Sequence, residues 1–246
     1  MNFETLLKYP AVFFVAFATV FALVPKISAI ALRIGAVDLP GPRRLHQQPI
    51  PRIGGIAVFA GFHFACALRF LLPWGHPTTG SLTTSWWMSY LGVSAFLLAV
   101  GVADDLRGLK PISKLLYQIA GACIMFALDV RVGNILGIDL PIIVDLGVTV
   151  LWFLAITNAF NLIDGMDGLA AGLASIAAAG IMGSFLFRQL PGDALVMVAL
   201  LGACLAFLRF NFNPASIFLG DGGSMFLGFT LASVALSTGS KMPRHP

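Results

Sequence analysis

Eight runs of apolar residues, each long enough or nearly long enough to cross a hydrocarbon layer, make up most of this chain. A helix needs about 20 consecutive apolar residues to span a bilayer core. The runs fall approximately at residues 9–32, 53–72, 86–103, 115–130, 146–163, 168–187, 194–208 and 222–240. The connections are short, and neither an internal repeat nor a low-complexity tract interrupts the pattern. The expected fold is therefore all-α: a polytopic transmembrane helical bundle of about eight spans, forming a single integral membrane domain over residues 1–246. Charged residues make up 11% of the chain and hydrophobic ones 58%, against about a quarter charged in a soluble domain. Two runs are softer. The first contains Pro25 and Lys26 and is expected to kink or end early, and the fourth is short, with Asp129 and Arg131 at its far end.

The net charge of +4, spread thinly, excludes nucleic acid as a partner and suits a protein bordering anionic headgroups. Cys66, Cys123 and Cys204 are far apart in apolar runs, so they are expected to be packing residues rather than metal ligands or disulfide partners. The only small-residue site near the N-terminus, Ala16-Phe17-Ala18, lies inside the first run, which argues against a cleaved signal peptide. Lys and Arg concentrate on the cytoplasmic side of membrane proteins. Lys26, Arg33, Arg43, Arg44, Arg52, Arg107, Lys110, Lys114 and Arg209 fall at the loops after runs one, three and seven, whereas Lys8, Arg69, Arg131, Arg188, Lys241 and Arg244 fall on the other side. Both termini are thus expected outside and the odd-numbered loops inside.

This topology places Asp104, Asp105, Asp164, Asp167 and Asp221 near one membrane border, although they come from three distant loops. Carboxylates beside hydrocarbon are costly unless they pair, hydrate or bind a cation, so this cluster is the first candidate for a functional site. Oxygen donors without cysteine suit magnesium or manganese, and magnesium commonly shares its shell with substrate phosphates.

The sharpest segment is Asn158-Ala-Phe-Asn161-Leu-Ile-Asp164-Gly-Met-Asp167-Gly, in which polar residues three apart share a helix face. A polar helix end followed by a glycine turn explains a single Asp-Gly but not the whole string. Phe218-Leu-Gly220-Asp221-Gly222-Gly223-Ser224 sits where the seventh loop enters the eighth run. Its amides and Ser224 can face a phosphate there, or merely cap the helix. The first loop, from Asp38 to Gly55, is basic and proline-rich, and is read either as a clamp for anionic groups or as ordinary cytoplasmic charge. His63 and His76 are read as incidental.

Together these segments resemble the polyprenyl-phosphate N-acetylhexosamine-1-phosphate transferases. That family includes the peptidoglycan phospho-MurNAc-pentapeptide translocases and the enzymes that initiate O-antigen and related glycans. The resemblance runs from about Asp38 to Ser224. It rests on four motifs in order: Arg-x-His…Pro-Arg-x-Gly-Gly, Asp104-Asp105, Asn-x-x-Asn-x-x-Asp-Gly-x-Asp-Gly and Gly-Asp-x-Gly-Ser. It implies transfer of sugar 1-phosphate from a UDP-sugar to undecaprenyl phosphate at the cytoplasmic face of a bacterial inner membrane, with release of UMP and Mg2+ (or Mn2+) as cofactor. By the same resemblance Asn161 and Asp221 bind the metal, and Asp104 and Asp105 are catalytic residues by the lipid phosphate, one acting as base or orienting the attacking oxygen, by direct displacement or through an aspartyl intermediate. Asp164 and Asp167 shape the nucleotide, sugar and metal sites, and Phe218 stacks on uracil. Arg43, Arg44, His46, Lys114 and Asn158 complete the substrate-binding candidates. The Pro-Arg-Ile-Gly-Gly wording lies nearer the O-antigen and enterobacterial-antigen branch, which implies an N-acetylhexosamine donor and lipopolysaccharide or related glycan synthesis. A homodimer is compatible with the family.

Members of this family continue through further spans and a histidine-bearing cytoplasmic loop, whereas this chain stops at Lys241-Met-Pro-Arg-His-Pro246. The resemblance therefore implies a C-terminally truncated member, and an inactive relative that only binds lipid or nucleotide is one alternative. The other is a proton- or cation-coupled transporter, which predicts acids near the midplane and an inverted repeat.

Overall fold

The computed structural model describes residues 3–40, 47–71 and 82–239. Eight helices follow one another: α1 (Phe3–Ile34), α2 (Gly55–Leu71), α3 (Thr84–Arg107), α4 (Pro111–Ala127), α5 (Ile142–Ile163), α6 (Leu169–Phe187), α7 (Pro191–Asn211) and α8 (Gly220–Gly239). Each apolar run becomes one helix. Five of them, α1, α3, α5, α6 and α7, are long and apolar enough to cross a membrane, while α2 and α4 are shorter apolar helices.

The first run neither breaks nor ends at Pro25: α1 continues to Ile34 with Pro10 and Pro25 inside it. A proline removes one backbone hydrogen bond at a cost of about 3 kcal/mol. Packing of α1 along α2 and α7 holds the helix through that gap. The fourth run starts four residues earlier than expected, with Pro111 at the first helical position, where its missing N–H costs nothing. It ends before Asp129, which turns the chain at positive φ. Two short antiparallel ladders escaped the sequence reading. β1 (Val37–Asp38) pairs with β2 (Ile50–Pro51), and β3 (Asn134–Ile135) forms a hairpin with β4 (Ile138–Asp139) at the opposite end of the bundle.

Helices in lipid gain little from apolar contact as such, because the tails are as apolar as leucine, so close packing of small residues decides who neighbours whom. Helix α8 is the centre of this arrangement, packed against α3 on one side and α5 on the other, and residues 222–234 are all buried. A Cβ on Gly101 would overlap the backbone of Gly222, and one on Gly55 would overlap Gly223. The bundle thus closes at these points on bare backbone. Hydroxyls inside α8 bond back one turn, Thr230 to the Phe226 carbonyl at 2.6 Å and Ser233 to Phe229 at 2.7 Å. Tyr90 of α3 reaches Thr230 at 2.6 Å, so these buried polar groups are paired. Helices α3, α4, α5 and α8 form a ring in which α3 and α5 each touch both α4 and α8. One end of that ring carries the site.

Candidate active site

The C-terminal ends of α3 and α5 and the N-terminal ends of α4 and α8 meet, and each contributes to one polar network. Lys114 of α4 places Nζ 2.7 Å from Asp104 Oδ2 of α3 and 2.9 Å from Asp221 Oδ2 of α8. Asn161 of α5 donates Nδ2 to the other Asp221 oxygen at 2.7 Å and to Ser224 Oγ at 3.0 Å. Asp104 also accepts the Leu109 amide just beyond its own helix. Four residues spread over more than a hundred positions are thereby joined in one polar ring.

Asp105 faces the other way. Its carboxylate is fully buried and takes Arg52 through Nε at 3.0 Å and Nη2 at 2.8 Å. It also accepts the backbone amides of Asp221 at 3.1 Å and Gly222 at 3.3 Å. It therefore caps the N-terminus of α8 from a neighbouring helix, where a negative charge meets both free N–H groups and the positive end of the helix dipole. Burial works against the charge on Arg52, but Asp105, Asp221 and Asp38 more than offset it, so the guanidinium stays protonated.

The loops that carry the glycine motifs are stitched together through the backbone. Phe218 donates its amide to the Pro51 carbonyl at 2.7 Å, and Gly54 and Gly55 donate to Phe218 and Leu219 carbonyls at 3.0 and 2.8 Å. Gly220 lies at φ +77°, and a Cβ there would strike the Arg52 carbonyl, so only glycine fits. Asp164 lies beside Gly220. Burial first, then the charges of Asp105 and Asp221, push its carboxyl well above the usual carboxylate range. Asp167 accepts Asn213 Nδ2 and the Ala215 amide, both at 3.0 Å, and so holds the loop before α8.

All the acids singled out in the sequence gather at this end, with distinct neighbours. Asp104 and Asp221 belong to the ring, Asp105 and Asp167 hold loops and helix ends, and Asp164 lies beside Gly220. Phe218 is half-buried in the stitched loop. Asn158 sits one turn deeper, donating to Gln118 Oε1 at 2.7 Å and to the Leu154 carbonyl at 2.8 Å. Arg43, Arg44 and His46 lie outside the described residues. His63 is a packed polar group as expected, with Nδ1 3.0 Å from the Phe59 carbonyl. Three contributors were missed. Arg52 was read only as part of a basic loop. Asn211 is buried, accepting the Gly168 amide at 3.1 Å and donating to the Ile217 carbonyl at 2.9 Å. Gln118 was lost in an apolar run, although its place four residues after Lys114 puts both on one helix face.

Among the described residues no group of three or more His, Cys, Asp or Glu is arranged to hold a metal ion. The donor set nevertheless fits magnesium, which takes one or two protein carboxylates and fills its shell with water and phosphate. Asp221 supplies a carboxylate, and Asn161, whose Nδ2 meets it, carries an amide oxygen on the same side chain. The carboxylates of Asp104, Asp105 and Asp221 also outnumber Arg52 and Lys114, the cations that contact them. An anionic excess at a hydrocarbon border favours binding of a divalent cation.

The glycosyl transferase family 4 pattern matches residues 87–239. The chain belongs to this family. Over 243 residues it is 35% identical to a probable undecaprenyl-phosphate N-acetylglucosaminyl 1-phosphate transferase of Bacillus subtilis, covering 95% of this chain and 64% of that protein. It is 36% identical over 246 residues to a decaprenyl-phosphate N-acetylglucosaminephosphotransferase of Mycobacterium tuberculosis, covering 94% and 60%. With a phospho-N-acetylmuramoyl-pentapeptide-transferase of Enterococcus hirae it shares 32% identity over 247 residues, covering 87% and 75%. The chain thus spans roughly three-fifths of the length of the first two relatives. The family match takes in the whole Asp104–Lys114–Asn161–Asp221 ring but begins after Arg52.

Proposed function

We propose that this chain carries the catalytic core of a transferase that moves N-acetylhexosamine 1-phosphate from a UDP-sugar to polyprenyl phosphate and releases UMP. The observation that carries this reading is the ring at the mouth of the four-helix bundle, in which acidic, cationic and amide side chains from four helix ends are linked through Lys114 and Asp221. The relatives' names supply the reaction class, and those from Bacillus subtilis and Mycobacterium tuberculosis favour N-acetylglucosamine as the sugar.

In the reaction an oxygen of the lipid phosphate forms a bond to the sugar-bearing phosphorus of the UDP-sugar. The bond from that phosphorus to the bridging oxygen breaks, and the bridging oxygen leaves with UMP. Such transfer asks the protein chiefly for alignment and for neutralisation of charge on phosphoryl oxygens. Lys114 swings from its carboxylates to those oxygens. Arg52 keeps Asp105 and the α8 N-terminus in place, and the stitched loop presents Phe218 to the nucleotide. Asp221 and Asn161 would hold Mg2+, which would supply positive charge against the phosphoryl oxygens.

The site faces the cytoplasm in this reading. Arg33, Arg52, Arg107, Lys110, Lys114 and Arg209 lie at its end of the bundle, against Lys8, Arg131 and Arg188 among the described residues at the other. The product is a lipid-linked diphosphate sugar that starts a cell-surface glycan, with the O-antigen class favoured by the Pro-Arg-Ile-Gly-Gly segment. The test is an exchange assay with the purified chain in detergent, undecaprenyl phosphate, UDP-GlcNAc and Mg2+. Metal-dependent UMP release with label entering lipid supports the proposal. A folded protein giving no transfer with UDP-GlcNAc, UDP-GalNAc or UDP-FucNAc sinks it.

A further inference from the structure

Directly beneath the ring lies a second polar layer. Gln118 follows Lys114 by one turn of α4, and Asn158 precedes Asn161 by one turn of α5, so the pair repeats the ring's own α4–α5 juxtaposition one turn further into the membrane. Asn158 spends both N–H groups, one on Gln118 Oε1 and one on the Leu154 carbonyl. Gln118 is 3% exposed, and its Nε2 is buried with no hydrogen-bond partner. Turning this amide end for end breaks the bond from Asn158 and leaves the oxygen unpaired instead. In either orientation one end of a buried amide is unsatisfied. Just below, α3 closes on α4 with Val93 and Leu97 against Gly121, so the surroundings are apolar.

An amide that ties one neighbour and strands its other end contributes little net stability, because the gain of the bond is offset by the unpaired group. What it does contribute is a register. We propose that Gln118 is a positioning residue for the transfer site: through Asn158 it sets the spacing and rotation of α4 against α5, and so sets where the Lys114 ammonium and the Asn161 amide meet Asp221. The link to catalysis rests on the function proposed above, whereas the link to Lys114 placement does not.

The experiment compares wild type with Gln118→Leu and Gln118→Met, which fill the same space without an amide, as purified full chains in detergent. Thermal unfolding, acetylation of Lys114 by acetic anhydride read by mass spectrometry, Mn2+ affinity by electron paramagnetic resonance, and kcat and KM are measured on each. The variants are expected to melt close to the wild-type temperature, because the stranded Gln118 nitrogen is removed while one Asn158 N–H loses its partner, and Lys114 labelling should rise severalfold with a change in Mn2+ affinity. Turnover should fall about tenfold in kcat with KM for UDP-GlcNAc nearly unchanged, as misplacement of a reacting arrangement predicts. Unchanged Lys114 labelling overturns the proposal, as does a lower melting temperature with labelling raised at every lysine, since either makes Gln118 an ordinary packing residue. A wild type without turnover counts against the transferase reading, and melting and labelling still decide the role of Gln118.

Discussion

Arg52 and Asp105, 53 positions apart, meet with two guanidinium nitrogens on a single buried carboxylate oxygen, at 3.0 and 2.8 Å. The same carboxylate receives the first amides of α8, so the loop before α2, the end of α3 and the start of α8 are locked at one point. Arg52→Ala strands that carboxylate. Breaking a buried pair costs about 3–5 kcal/mol, and the exposure of Arg52, 31%, argues for the lower end. Thermal unfolding in detergent should show the loss, and Arg52→Lys should recover only part of it, since one ammonium cannot reproduce the two-pronged contact. A lysine variant equal to wild type would show that charge alone suffices.

Gly220 has no room for a side chain and sits in the left-handed region. Gly220→Ala adds about 1–2 kcal/mol of backbone strain to the clash with the Arg52 carbonyl, so both melting temperature and turnover should fall. Gly180, in the middle of α6 with nothing within 4 Å of its would-be Cβ, is the control. Its alanine variant should match or exceed wild type in melting temperature, by up to about 1 kcal/mol.

Asp221 and Lys114 separate metal binding from turnover. Asp221→Asn should lower kcat about 100-fold or more and weaken Mn2+ binding, as loss of a preorganised charge at a phosphoryl site predicts. Lys114→Met removes the cation that neutralises Asp104 and Asp221, so Mn2+ should bind more tightly, by about tenfold, while turnover falls. Weaker Mn2+ binding in this variant would place the metal elsewhere.

Asp167 holds the segment before α8 through Asn213 and Ala215. In Asp167→Ala that segment should loosen, with faster proteolytic cleavage between residues 212 and 217 and a fall in kcat of about 10–100-fold. Equal cleavage rates with and without Asp167 would assign it to the ligand rather than the loop.

What the sequence by itself determined is the number of helices, their approximate limits and the end of the bundle at which the acids lie. Hydrocarbon imposes a length on every span and forces backbone polar groups to pair within helices, so eight apolar runs become eight helices without reference to anything distant. Run limits at residues 146–163 and 168–187 fall within a few residues of α5 and α6 for that reason. Local periodicity likewise put Asn158 and Asn161 on one face. Only the tertiary structure decided which acid touches what. Asp104 and Asp105 are neighbours in the chain, yet one joins Lys114 in the ring and the other caps α8, because adjacent helical residues point about 100° apart and only the packing of α3 on α8 settles which faces inward. Arg52, Gln118 and Asn211 stayed hidden because a lone polar residue shows no pattern of its own. Its meaning comes from a partner on another helix, and that partner is chosen by where bare glycine backbone, at Gly55, Gly101, Gly222 and Gly223, lets the helices close.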